Sequence, residues 1–342
     1  MRGPDGSARS GPKRPADGPG PRRPGSRRAG QGLALALAAA GLAGSDAPPL
    51  AEMRWLAPGA DPVAALGMQP PECLSADRAA PTPRERLDIE IGRAAFRSPL
   101  ILGGQAARAG ISCESCHRNG RSNPHFRFPG VSGAPGTADV TSSLFSSRRG
   151  NGVVDPAPIP DLGGARERLK VIPRPEGLAA FIRGLVVEEF DGPEPSPRVL
   201  AGLAAYVRSI GPDLCDGSPE PVTAAGYLQD AARAVDAGAA ALAEGDRDTA
   251  LAMLAAARTR LGRIDERYAG LDGTRARLRR SSAGLAGVEA LIRSGHPAAP
   301  DGIRAWRADL DALRQGVRRD EPRSLFNPER LAAATRLPAG GR

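Results

Sequence analysis

The sequence predicts an all-α protein built from two helical parts, and three observations carry that reading. After residue 219 the chain is rich in Ala, Leu, Arg and Asp, with apolar residues at helical spacing. One run there, Leu271, Leu278, Leu285 and Ile292, recurs at seven-residue intervals. Between residues 83 and 210, two amphipathic stretches open on helix-start signals, Pro83 and Ser196-Pro197, and the second stops at Gly211-Pro212. Elsewhere Gly (43) and Pro (34) are so abundant that much of the remaining chain reads as loop. A length of 342 residues allows two cores of ordinary size.

Residues 1–47 read as a disordered basic leader ending in a signal peptide. The run Gly32 to Ala43 is too short to cross a bilayer, but it has the length and composition of a secretory apolar core, with small residues for cleavage after Ala43 or Ala47. The expectation is export to the periplasm, with membrane association only if that segment is retained. The leader also holds eight basic residues against three Asp, so it carries +5 of the net charge of +9. The rest is near +4 and spread among many carboxylates. Nothing there clusters basic and aromatic residues as a nucleic-acid partner requires, and Lys13 and Lys170 are the only lysines. Residues 48–83 read as a Pro-rich linker.

From Pro83 to Arg97 the apolar positions Leu87, Ile89, Ile91, Ala94, Ala95 and Phe96 predict an amphipathic helix, which Pro99 helps to end. A Gly-rich loop leads to Cys113-Glu114-Ser115-Cys116-His117. Two thiols three positions apart, followed directly by an imidazole, have the spacing of c-type haem attachment. Each thiol can add across one vinyl group of the porphyrin, and His117 is then placed to hold the iron from one face. A zinc site needs four protein ligands and a thioredoxin-like pair needs a β-α-β setting; neither context surrounds the motif. One covalently bound haem c is expected. Asn119-Gly120, Pro124, Gly130, Gly133, Pro135 and Gly136 argue against regular structure just after it. Short helical pieces are expected at Val140–Ser147 and Gly164–Lys170, and firmer helices at Glu176–Glu189 and Pro197–Ile210.

The motif, the preceding Gly92-Arg-Ala-Ala-Phe96 and the closing Leu203-Ala-Ala-Tyr206-Val-Arg-Ser-Ile210 together resemble the cytochrome c domain, over about residues 84–212 of a haem domain that reads as residues 84–216. The resemblance implies that Gly92 lets the first helix approach the last closely, with Phe96, Leu203 and Tyr206 packing at the crossing. More narrowly, Ile91 to Phe96 and Ile111-Ser-Cys-Glu-Ser-Cys-His117 are similar to the bacterial cytochrome c peroxidase and MauG-like group. Those proteins carry two haems, whereas this chain has one haem motif, so a relay between two centres is not implied. Covalent haem of this type is assembled outside the bacterial cytoplasm, which agrees with the leader. In that compartment Cys73 and Cys215, which flank the haem domain, tend to bridge; the alternative is two unpaired buried thiols.

The second axial position stays open. No methionine follows the motif within residues 118–216, which leaves His125, Met68 and the more distant Met53. His125 lies eight residues past His117, and an extended chain of that length reaches about 26–29 Å, enough to pass a porphyrin edge. Arg127, Arg148 and Arg149 are either haem-propionate partners or solvated loop residues. In residues 219–342 the stripes Val222, Leu228, Ala232, Val235, Ala239 and Leu251, Leu254, Leu261, Ile264, Tyr268 predict an antiparallel bundle of about four helices, with breaks near Gly245, Gly270, Gly273 and Gly295. His296 falls in a Gly-Pro loop, and no catalytic constellation stands out. The expectation is a periplasmic single-haem cytochrome that transfers electrons to a partner protein, through the haem edge or the bundle. The alternative is a peroxidase-like or MauG-like enzyme with a labile sixth position. A third reading makes the bundle the working part and the haem a sensor.

Overall fold

The computed structural model describes residues 50–75, 81–141, 144–147, 153–163, 175–211 and 217–335, and it is mostly helical. Thr82 starts α1 (Pro83–Phe96) with a capping box: its hydroxyl accepts from Glu85 N at 3.2 Å, while Glu85 Oε2 accepts from Thr82 N at 2.8 Å. Three short helices follow: α2 (Pro99–Leu102), α3 (Gly104–Ala109) and the single turn α4 (Cys113–Cys116). Then come α5 (Pro175–Gly184), continued by a π-helical turn over Leu185–Glu189, and α6 (Pro197–Ser209), capped by Ser196. The strands are two residues each and pair antiparallel: β1 (Met68–Gln69) with β6 (Glu220–Pro221), β2 (His117–Arg118) with β3 (Arg121–Ser122), and β4 (Thr137–Ala138) with β5 (Ala157–Pro158).

α1 and α6 cross backbone to backbone. A Cβ on Gly92 would stand 2.0 Å from Gly202 O and 2.8 Å from Tyr206 Cβ, and one on Gly202 would stand 2.9 Å from Asp88 O. Beside the crossing, Phe96 meets Tyr206 edge-on with ring centroids 5.1 Å apart, and Leu203 is buried in the same cluster. Gly92→Ala is therefore expected to force the helices apart and to cost about 3 kcal/mol, despite alanine's better helix propensity. Urea denaturation measures this. A loss under about 1 kcal/mol would mean that the crossing has room to spare.

The C-terminal part is a four-helix bundle of α7 (Ala224–Ala243), α8 (Arg247–Arg267), α9 (Asp272–Arg293) and α10 (Ala299–Asp320). Gly245, Gly270 and Gly295 end successive helices with φ of +82°, +77° and +67°, the left-handed conformation that glycine adopts without strain. The expected apolar stripes meet in one core, to which α10 adds Ile303, Trp306, Leu310, Leu313 and Val317. Gly273 lies inside the first turn of α9 and breaks nothing. The bundle does not extend away from the rest: α7 and α8 pack on α1, and α11 (Pro328–Thr335) returns to seat Leu331 beside Gly67. All described residues belong to one compact unit, Ser45–Arg342.

Two expectations are corrected here. The segment read as a linker, residues 48–83, is built into the structure from Leu50 on: Leu50, Trp55 and Leu66 are buried with Leu102, Ile111 and Phe126. Its local structure is a 3-10 turn (Ala51–Trp55) and a π-helical turn (Val63–Gly67), which show no 3.6-residue apolar period. The helix expected at Val140–Ser147 is not formed by the described residues of that span, which make turns: Asp139 Oδ1 accepts from Thr141 N at 3.0 Å and from Thr141 Oγ1 at 2.7 Å. The leader, Gly164–Lys170, Arg148, Arg149 and Cys215 lie outside the described residues. Cys73 is disulfide-bonded, whereas Cys113 and Cys116 are free. Among the described residues no helix is long and apolar enough to cross a membrane.

Candidate functional site

The one-turn helix α4 presents the thiols. Spacing of three residues on a helix puts Cys113 and Cys116 on one face, and both lie half-buried against an apolar cluster that includes Ile101, Phe128, Val140 and Ile182. So short a helix cannot satisfy its own last carbonyls. Asn123, fully buried, does so instead: its N–H donates to Cys116 O at 2.9 Å and its Nδ2 donates to Ser115 O at 2.8 Å. Ser112 and Ser115 close the other end with reciprocal side-chain bonds.

His117 leaves the helix directly into the hairpin of β2 and β3, whose two-residue turn is Asn119-Gly120 at φ 48° and 81°. That is the turn geometry that matches strand twist, and Asn-Gly is its preferred pair. Gly120 is further required because a Cβ there would meet Ile210 Cδ1 at 2.6 Å. The imidazole Nδ1 is 3.0 Å from Pro160 O. A carbonyl only accepts, so Nδ1 carries the hydrogen and Nε2 keeps its lone pair, the tautomer of a metal ligand with an oriented ring. The Pro160 carbonyl is held in place by the β4–β5 pair, by the Arg121 Nε to Asp161 Oδ2 bond at 2.8 Å, and by Leu162 N donating to Gly120 O at 2.9 Å. Phe96 lies against the same ring at 6.4 Å between centroids.

Burial sets the protonation states. It pushes the His117 pKa down to about 4, so the ring is neutral at pH 7, as ligation requires. It pushes the Cys113 thiol up to about 12 and Cys116 in the same direction, so both keep their protons. Leu100, Leu144 and Phe181 are 53%, 41% and 39% exposed, although their chain neighbours Ile101, Phe145 and Ile182 belong to the cluster on which the thiols rest. Two reduced thiols on one face, a neutral imidazole with a free Nε2 and exposed large apolar side chains fit a covalently held porphyrin.

The other candidates fall elsewhere. His125 N donates to Asn123 Oδ1 at 3.0 Å and His125 O accepts from Ala57 N at 2.9 Å. Its ring is held below the usual pKa by burial and by the Arg118 charge, with Asp61 acting the other way. Those neighbours differ from the Pro160, Asp161 and Phe96 that surround His117. Met68 stands in β1 opposite Pro221, while Met53 packs on the thiol-bearing cluster. Arg127 Nε donates to Gly133 O at 3.2 Å, and His296, exposed, accepts from Ala298 N at 3.2 Å. Among the described residues no group of three or more His, Cys, Asp or Glu is arranged to hold a metal by itself.

One feature was not visible in the sequence. Arg97, at the end of α1 and 7% exposed, donates from Nη2 to Glu72 Oε1 at 2.8 Å and to Asn119 Oδ1 at 2.7 Å. Its Nε stands 3.6 Å from Asp230 in the bundle and 3.8 Å from Glu114 in α4. The bundle is thus tied by charge to the turn that carries the thiols. No family model, curated protein or solved structure matches the chain. The functional reading rests on this geometry.

Proposed function

We propose that the chain is a periplasmic c-type cytochrome with one haem, attached at Cys113 and Cys116 and ligated by His117 Nε2, that transfers electrons to a partner protein. The observation that carries the reading is the His117 Nδ1 to Pro160 O bond beside two free thiols on one helical turn. The Gly92–Gly202 crossing with its Phe96–Tyr206 contact supports a cytochrome c-like arrangement of residues 84–216. The haem supplies one-electron exchange between ferric and ferrous iron. The chain's own part is to fix the imidazole through Pro160, to brace it with Phe96, and to hold the attachment turn through Asn123 and Arg97. No side chain needs to move a proton or act as nucleophile, so no catalytic residue is assigned.

A second reading, a peroxidase-like or MauG-like enzyme with a labile sixth position, is favoured by the lack of any methionine in residues 118–216 to serve as a second axial ligand. One preparation tests both readings. The chain, expressed with a haem-maturation system, is denatured and extracted with acidified organic solvent, and its pyridine haemochrome spectrum is recorded. One haem per chain is the expected result, and a colourless polypeptide overturns the reading. Intact ferrous protein whose spectrum carbon monoxide leaves unchanged is the expected carrier; formation of a carbonyl complex selects the enzyme.

A further inference from the structure

Within Cys113-Glu114-Ser115-Cys116 the two thiols rest on the apolar cluster, while Glu114 lines a polar cavity of about 230 Å³ shared with α7 and α8. This carboxyl group is poorly served for a buried charge. Asn119 N donates to Oε1 at 3.2 Å, and among the described residues Oε2 accepts no hydrogen bond. The arginines around it are committed elsewhere. Arg97 of α1, with Nε 3.8 Å away, donates to Glu72 Oε1 at 2.8 Å and stands closer to Asp230 of α7, at 3.6 Å. Arg260 of α8 stands 3.3 Å from Asp230, and Arg118 of β2 donates to Ala65 O. The Tyr206 hydroxyl of α6 donates to Glu72, and Glu52, Glu220, Arg233 and Arg263 line the same cavity. Burial holds the Glu114 pKa above the ordinary carboxylate range, against the pull of Arg97, Arg260 and Arg118.

We propose that Glu114 is the proton partner of the haem, releasing its proton when the iron is oxidised and recovering one on reduction. The inference rests on the haem reading and adds a proton to its electron. One electron leaves the iron for the partner protein. The O–H bond of Glu114 breaks, its electron pair stays on the carboxylate, and the proton passes to water in the cavity. The positive charge that oxidation adds is thereby offset by a carboxylate one residue from Cys113, and by linkage the proton must shift the potential as the iron shifts the proton. The Glu114 side chain is 17% exposed, and the cavity corresponds to roughly eight liquid-water volumes, room for a hydrogen-bonded route outward. Glu72 and Asp230 are unsuited to the role: although burial opposes it, arginines hold both below the ordinary range, so they stay ionised in either state of the iron.

Spectroelectrochemical titration of the full haem-loaded chain from about pH 5 to about pH 8, after the haemochrome assay has counted the haem, tests this. Loss of the proton leaves a negative charge that favours ferric iron, so the midpoint potential is expected to fall as pH rises. The slope should approach about 59 mV per pH unit, the value of a tenfold change for one electron. Glu114→Gln keeps the shape and the bond from Asn119 N but cannot ionise, and its potential should stay flat near the native low-pH value. Glu114→Asp should restore a slope, with circular dichroism verifying that both variants fold. A native potential independent of pH overturns the inference. So does a folded Glu114→Gln chain with the native slope, which would assign the proton to another group such as a haem propionate. A chain without haem overturns the haem reading itself, and the haemochrome count reveals that before any potential is read.

Discussion

Serine at both Cys113 and Cys116 is expected to give a chain that loses all colour on acid solvent extraction, while serine at either one alone leaves a single covalent link. The two sulfurs lie three residues apart on one helical turn, are free, and are only half-buried, so each can reach its own vinyl group. The substitutions should leave the turn folded, because its stability comes from Ser112, Ser115 and Asn123 and not from the thiols. A singly linked haem keeps one vinyl group in conjugation, so its haemochrome band should move to longer wavelength than that of the doubly linked protein. The double variant can still hold haem through His117, but without a bond that survives denaturation. Full retention of colour by the double serine variant after extraction would place the attachment on other residues.

The helices were legible wherever a start signal and a 3.6-residue period coincided. Pro83, Ser196-Pro197 and the leucine spacing after residue 219 predict α1, α6 and the bundle, and the closeness of α1 and α6 follows from the resemblance at Gly92 and Phe96. The proposed thiol and imidazole site is legible because Cys-x-x-Cys-His is a spacing pattern carried by residue identity alone. What orients His117 is not. The partner is a backbone carbonyl 43 residues away, and a carbonyl leaves no mark on residue identity. Asn119-Gly120 reads as punctuation in the sequence, and flanking residues on both sides make it the turn of a hairpin. The segment from Leu50 looked like a linker because 3-10 and π-helical turns bury apolar residues at irregular spacing. Arg97 was unremarkable in sequence: its partners Glu72, Asn119 and Asp230 come together only once four elements have packed.

Asp230→Asn is expected to destabilise the chain by about 3 kcal/mol at pH 7, since removing one partner of a buried ion cluster strands the charges that remain. Three arginines converge on this carboxylate: Arg233 Nη2 at 3.0 Å, Arg260 Nη2 at 3.3 Å and Arg97 Nε at 3.6 Å. Desolvation opposes its charge, but those arginines outweigh it and hold its pKa down at about 2, from an ordinary 3.8. A carboxylate whose folded pKa is lowered stabilises the folded chain at any pH above its unfolded value. As pH falls the unfolded state takes up its proton first, so the contribution, about 2 kcal/mol, is lost between about pH 4 and pH 2. The asparagine variant has no such proton to gain. Urea denaturation at stepwise lower pH should therefore show the gap between native and variant chains narrowing across that window, even though other carboxylates such as Glu72, also held down by arginines, weaken both chains. A gap that stays constant from pH 7 to pH 2 would show that the shape of residue 230, and not its charge, joins the bundle to the attachment turn.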